Sequence, residues 1–215
     1  MQELKLFFNL NDSELKSMLD FSYKKNYKKK EILFYADEKV NHFYFLSKGS
    51  VVAYQVDNNN KKIVWHIFQA PCLIGEGFVL QEKKRKTAFN TEWLSNGSII
   101  KIDNEKFERH YMQNSKVLLV MLKSVSLKLA NYRHFVLNEK FFNISEKIAY
   151  FMIHYPALAQ SLKLGEISDI LNIQQPTLSR VLKEFREEGL IEEKKYKIII
   201  KDEEKLHALY QNKFD

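Results

Sequence analysis

Residues 174–189 read QQPTLSRVLKEFREEG. Leu178, Val181, Leu182 and Phe185 recur at helical spacing and predict a face buried against a small core. Gln174, Gln175, Thr177, Ser179, Arg180 and Lys183 are left outside, near the N-terminal end. Pro176 suits the first helical position, where its missing N–H would have had no acceptor, and Gly189 supplies a left-handed residue to end the helix. Just upstream, LGEISDILNI (residues 164–173) predicts a shorter amphipathic helix with Ile167, Ile170 and Leu171 apolar, and Asn172-Ile173 as the turn. Two short helices joined in this way form a helix-turn-helix, whose second helix can lie in the DNA major groove. There Arg offers two parallel donors to a guanine edge and Gln can pair in the same way with adenine. On these residues alone an ordinary helical hairpin with a polar outer face is the alternative. The next residues favour DNA: Leu190-Ile191, then Lys194-Lys195-Tyr196-Lys197, then Ile198-Ile199-Ile200 predict strand, basic turn and strand. That is the hairpin of a winged helix, with Lys195 and Lys197 able to reach phosphates.

Moving toward the N-terminus, Asn143-Ile144-Ser145-Glu146 predicts a capping box for a helix over 147–154, ended by Tyr155-Pro156. Before it, residues 115–138 predict one long helix. Leu118, Leu122, Val125, Leu129, Tyr132 and Val136 recur at alternating steps of four and three, the seam of a two-stranded coiled coil. At 1.5 Å per residue this helix is ~35 Å long, enough to tie two protomers together. From residue 31 to 102 the pattern changes to short β runs: 32–35, 42–46, 51–54, 63–68, 87–93 and 98–102, punctuated by Gly and Asn. Such spacing predicts an antiparallel barrel or jelly roll. Within it, residues 71–77 (PCLIGEG) read as a loop opening a brief helical turn, followed by the basic run Lys83-Lys84-Arg85-Lys86-Thr87. Gly75 and Glu76 with this run form a candidate nest for an anionic ligand, or else a tight turn beside solvated charge. Residues 1–20 predict a short helix capped near Asn11, and YKKNYKKK (residues 23–30) a solvated strand or loop.

The fold class expected is therefore α+β: an N-terminal antiparallel β jelly roll over 1–110, a dimerisation helix over 111–139 and a winged helix-turn-helix over 140–215. The chain carries a formal charge of +7, which suits a polyanionic partner. The excess lies elsewhere, however: residues 61–139 hold 13 basic and 7 acidic side chains, whereas 140–215 hold 12 of each. Support for DNA binding thus rests on where Arg180, Lys183 and the wing lysines stand. The lone cysteine, Cys72, excludes an internal disulfide and any cluster held by several thiolates of one chain. With no apolar run near 18 residues and no signal-peptide pattern at the start, the expectation is a cytoplasmic protein without a membrane partner.

The order of these segments resembles the Crp/Fnr family of bacterial transcription regulators over nearly the whole chain. The residues that carry it are Phe45-Leu46-Ser47-Lys48-Gly49-Ser50-Val51, Leu73-Ile74-Gly75-Glu76 and Thr177-Leu178-Ser179-Arg180-Val181-Leu182-Lys183. The resemblance implies a homodimer on a two-fold-symmetric promoter site in double-stranded DNA, recruiting or blocking RNA polymerase and governed by an effector in the jelly roll. It further implies that Arg180 reads a guanine and Ser179 touches a neighbouring base or phosphate. Pro176 stands where many members have a Glu that helps read the site, so the half-site preference should differ from theirs.

At the sensing end the chain departs from the family. Lys86-Thr87 stand where the cyclic-AMP-binding branch has an Arg-Ser pair on the phosphate; they can still hold an anion, but not by a bidentate fork. Tyr132-Arg133 stand where that branch has a Thr-Ser pair on adenine. Gly75 and Glu76 persist. Cys72 cannot by itself hold the iron–sulfur cluster of the oxygen-sensing branch, and a haem would have to choose among His42, His66, His110 and His134. The effector is accordingly left unassigned, with no metal expected. As a redox switch Cys72 has nothing basic within two residues of it. Two other classes compete with the regulator: a signal-binding module whose helix-turn-helix meets a protein, and a cupin-type enzyme. The latter needs closely spaced His residues, and no H-x-H, G-x-x-x-x-G-K-[ST] or G-x-S-x-G occurs.

Overall fold

The computed structural model describes residues 2–79, 86–194 and 197–211, with side chains for all of these except Phe78 and 133–139. The chain divides into two compact units, residues 1–55 with 65–132, and residues 56–64 with 133–215.

The first unit opens with two helices, α1 (Gln2–Phe8) and α2 (Asp12–Leu19), where the sequence predicted one. The break is local. Asn11 accepts from the Glu14 N–H and Glu14 accepts from the Asn11 N–H, each at 2.8 Å, a closed capping box that starts a fresh helix. Eight strands follow: β1 (Ser22–Tyr27), β2 (Ile32–Phe34), β3 (His42–Lys48), β4 (Ser50–Val56), β5 (Lys62–Gln69), β6 (Cys72–Ile74), β7 (Asn90–Trp93) and β8 (Gly97–Asp103). They form two four-stranded sheets, ordered β1-β8-β3-β6 and β2-β7-β4-β5. Helices α3 (Asn104–Tyr111) and α4 (Ser115–Phe141) come next.

Strand β3 shows why the sheets stack as they do. Its run Phe43-Tyr44-Phe45-Leu46 is apolar without alternation, the signature of a strand covered on both faces. Tyr44 and Leu46 point between the sheets, joining Leu33, Phe34, Val51, Trp93 and Ile99. Phe43 and Phe45 point the other way, into a second core made with α1, α2, α3 and the start of α4. One sequence expectation is corrected here: residues 72–74 are a strand paired with Tyr44–Leu46, not loop. Helix α3, over residues for which the sequence predicted no element, begins with Asp103 accepting from the Lys106 N–H at 2.9 Å.

The second unit contains α5 (Ile144–His154), α6 (Pro156–Ser161), α7 (Leu164–Leu171), α8 (Gln175–Glu187), the hairpin β9 (Ile191–Lys194) with β10 (Lys197–Ile200), and α9 (Glu203–Gln211). The expected capping box at α5 forms between Asn143 and Glu146, at 2.9 and 3.0 Å. Tyr155-Pro156 ends α5 as expected, but Pro156 also opens α6, which the sequence reading did not anticipate. Among the described residues no helix is long and apolar enough to cross a membrane.

Close packing at the first residue of β8 is testable. A Cβ on Gly97 would come within 2.1 Å of the Lys48 carbonyl oxygen and 2.2 Å of the Trp93 ring, whereas one on Gly77 meets nothing within 4 Å. Gly97→Ala should cost at least ~1–3 kcal/mol of stability, the range for overpacking a filled site. Gly77→Ala should stay within about 0.5 kcal/mol of wild type. Urea midpoints for the two variants check this.

Candidate nucleic-acid interface and sensor cavity

Helix α7 ends at Asn172, which takes up the left-handed conformation (φ 54°) that Asn tolerates at a helix terminus. The Ile173 N–H then donates to the Ser168 carbonyl at 3.0 Å, and the chain turns into α8. Gln174 is the cap and Gln175 the first helical residue, so Pro176 is second rather than first. It still lies in the turn whose N–H groups lack intrahelical acceptors. Leu178, Val181, Leu182 and Phe185 are all buried, as their spacing predicted. Gln174, Gln175, Ser179, Arg180 and Lys183 are exposed and Thr177 is half-buried.

The long cations on α8 are held along the helix. Arg180 pairs with Glu184 at 3.1 Å and Lys183 with Glu187 at 3.6 Å, each one turn apart and mostly solvated. Such pairs stabilise by ~0.3–0.5 kcal/mol, so they orient the cations without withholding them. Gln175 differs: its amide oxygen lies 3.5 Å from where a Cβ on Gly165 would sit, leaning toward α7. In the hairpin, Lys197 is exposed. Lys194 pairs with Glu192 at 3.0 Å, and Lys195 lies outside the described residues.

In the first unit, Gly75 (φ +79°) turns the chain so that Glu76 starts a short 3-10 turn, Glu76–Phe78, facing α4. Glu76 is only 2% exposed. One of its oxygens accepts from the Ser124 hydroxyl at 2.7 Å and from the Lys128 ammonium, both on α4. Lys128 also donates to Ser124 at 3.1 Å and stands 5.9 Å from the Phe68 ring centre. Cys72 and His66 feel the same pair of charges. Burial pushes the Cys72 thiol up to about 12, against the pull of Lys128. Burial also pushes the His66 imidazole down to about 4, reinforced by Lys128 and opposed by Glu76. Cys72 is thus a protonated thiol and His66 a neutral ring.

The other expected effector residues serve different partners. The buried Thr87 hydroxyl donates to the Tyr35 carbonyl and accepts from the Glu38 N–H at 3.1 Å, fastening a turn. Lys86 is exposed, and its backbone forms a single antiparallel β-bridge with Lys39. Tyr132 stacks on Trp65, with ring centres 6.0 Å apart and planes at 11°, and the Trp65 N–H donates to Gln55 at 3.1 Å. The side chain of Arg133, like residues 83–85 of the basic run, lies outside the described set. Of the histidines weighed for haem, His42 meets Tyr23 edge-on and His110 stacks on Phe21; the His134 side chain is not among those described. Among the described residues no three His, Cys, Asp or Glu side chains are grouped to hold a metal ion.

Ser124 and Lys128 escaped the sequence reading, which followed the apolar seam of α4 and ignored its other side. A signal was present: Val117, Met121, Ser124 and Lys128 lie at helical spacing on the face next to the seam, about 100° round the helix, and a Lys on such a stripe either reaches water or meets an acid. Cys72 shows the same limit, since its basic neighbour comes from a helix some fifty residues away.

Residues 24–114 match the model of the cyclic nucleotide-binding domain, and residues 146–209 match that of the Crp-like helix-turn-helix domain. The chain belongs to the Crp/Fnr family. It is a DNA-binding transcription regulator of that type, with a cyclic-nucleotide-binding-like sensor domain. The cAMP-activated global transcriptional regulator CRP of Pasteurella multocida is 23% identical over 193 residues, covering 84% of this chain and 90% of that protein. Among solved structures, FixK2 of Bradyrhizobium japonicum superposes with a TM-score of 0.76 at 17% identity, over 87% of this regulator and 96% of that chain. The c-di-GMP-responsive regulator CLP of Xanthomonas campestris gives 0.71 at 14% identity, over 88% and 99%.

The neutral His66 predicts a pH dependence for the sensor unit. Above pH 6.5 both folded and unfolded chains carry it uncharged, so its contribution is constant. As the pH falls from 6.5 toward about 4 the unfolded chain takes up a proton that the folded one refuses, and stability drops. The loss is at most ~3 kcal/mol. His66→Gln should show a shallower fall in melting temperature over that interval than wild type.

Proposed function

We propose that this regulator works as a homodimer, joined along the outward face of α4, that reads a two-fold-symmetric promoter site with the exposed residues of two α8 helices. The observation that carries the reading is the division of each helix into a used and an unused face. On α4, Val117, Met121 and Ser124 are buried in their own unit, while Leu122, Val125, Leu129 and Tyr132 are exposed at 62, 37, 70 and 39% and Leu118 is half-buried. That exposed stripe continues the seam expected from the sequence, whose last member, Val136, has its side chain outside the described set. A stripe of this length, left wet, favours association with another such stripe.

On α8 the exposed set is Gln174, Gln175, Ser179, Arg180 and Lys183, with Thr177 at its margin. Arg180 is the guanine reader, because guanidinium presents two parallel donors and its partner Glu184 is a solvated, exchangeable one. Ser179 meets a neighbouring base or phosphate, and Lys183 with the wing residues Lys195 and Lys197 meets phosphates. With Pro176 at the second helical position, that site offers no acceptor for a cytosine amine. Binding near a promoter brings RNA polymerase within reach as the partner acted upon.

Duplex DNA selected from a random pool tests the reading. Affinity should fall steeply as salt rises, since phosphate contacts release counterions. Arg180→Ala should lose ~1–3 kcal/mol of discrimination at one base pair of each half-site while the protein keeps its dimeric mass. A selectivity profile identical to wild type would refute its role. For the interface, Leu122→Glu combined with Leu129→Glu should give a monomeric mass by light scattering, and a dimeric mass would remove α4 as the seam.

A further inference from the structure

A carboxylate out of water is stable only with a cation or several donors at hand. Glu76 is such a group, and its partners come from its own chain: the Lys128 ammonium and the Ser124 hydroxyl converge on one of its oxygens and bond to each other. The arrangement is closed. Lys128 is drawn inward, its side chain 25% exposed against 3% for Glu76. The neighbouring titratable groups, His66 and Cys72, are uncharged near neutral pH, so the anion and the cation balance without help. Two of the residues expected to grip an effector are used elsewhere: the Thr87 hydroxyl in the turn at Tyr35–Glu38, and the Tyr132 ring stacked on Trp65. A ligand hydroxyl seeking the Glu76 carboxylate would have to open the Glu76–Lys128 pair and leave a charge without its partner.

We propose that Lys128 takes a ligand's place at Glu76: it satisfies the carboxylate, ties the turn at Glu76–Phe78 to α4, and makes DNA binding by this regulator independent of cyclic nucleotides. The link between this turn and α4 is thus made by side chains of the helix itself. Only the clause about DNA rests on the function proposed above; the pairing at Glu76 stands apart from it.

Two measurements on the full-length protein test this. The first is the melting temperature of wild type with and without saturating cAMP or cGMP, where no change is expected; a clear rise with either nucleotide overturns the proposal. The second is a double-mutant cycle. Lys128→Met and Glu76→Gln should each lower the melting temperature, and the double variant should recover part of the loss, because removing both partners leaves no unpaired charge. Strictly additive effects would overturn the bridge, and if a single variant fails to fold, the wild-type titration decides alone. Wild type should bind selected duplex DNA with the same affinity in the presence and absence of either nucleotide, and an affinity that rises with nucleotide overturns the independence claimed. Failure to bind DNA under both conditions would sink the function proposed above, while the melting measurements would still decide the pairing at Glu76.

Discussion

A helix that is apolar on two sides has to be covered on two sides, and α4 is such a helix. Its Val117–Met121 side is met by the jelly roll, where both residues are nearly inaccessible. Its Leu122–Leu129 side meets nothing in its own unit. Most surface helices of globular proteins have one apolar stripe and one polar face; on α4 two stripes lie side by side, about 100° apart, and make one apolar arc wider than its own unit covers. The consequence reaches the cavity. Since one face of α4 is committed to the jelly roll and the other is free for a partner, anything that alters how α4 sits on the jelly roll alters what the partner meets. Glu76, Ser124 and Lys128 are located at that point, on the face adjoining the seam.

Much of this could be read directly from the residues, because it depends on short-range pattern. The buried face of α8 follows from four apolar residues at helical spacing, and the turn before it from an Asn able to adopt a left-handed conformation. The capping box at Asn143 needs only two residues three apart. What could not be read depends on contacts between segments distant in the chain. Strand β6 is three residues long and owes its existence to pairing with β3 rather than to its own composition. The separation of α1 from α2 turns on a cap at Asn11 that the reading placed within one element. Thr87 is the clearest case. Its place after a basic run suggested an anion grip, but the geometry of the turn at Tyr35–Glu38 uses its hydroxyl first.

The neutral net charge of residues 140–215 looked like an argument against DNA, and the structure shows why it carries little weight. The acidic residues nearest the proposed reading surface are used inside the segment: Glu184 and Glu187 lie one turn beyond Arg180 and Lys183, Glu193 pairs with Arg186, and Glu192 lies between Lys194 and Lys201. These are solvated pairs, and a phosphate or base edge can exchange for a carboxylate at small cost. Net charge sums over a surface, whereas a groove is met by one helix face at a time.

The same reasoning separates fold from effector. Regulators described as cAMP-activated and as c-di-GMP-responsive share this architecture with the present chain, so the jelly roll alone does not select a ligand. Selection lies with the polar groups that the cavity leaves unsatisfied. A carboxylate waiting for a ligand hydroxyl and a carboxylate already held by an ammonium are the same residue type at the same place in the chain, and a family pattern cannot tell them apart. The difference is made by position 128, one turn along from Ser124, where a four-carbon stem is just long enough to bring a charge back to the loop. A neutral side chain there would leave Glu76 in need of a partner from outside; lysine removes the need. What Glu76 can still bind is therefore set on α4 as much as in the loop that carries the carboxylate.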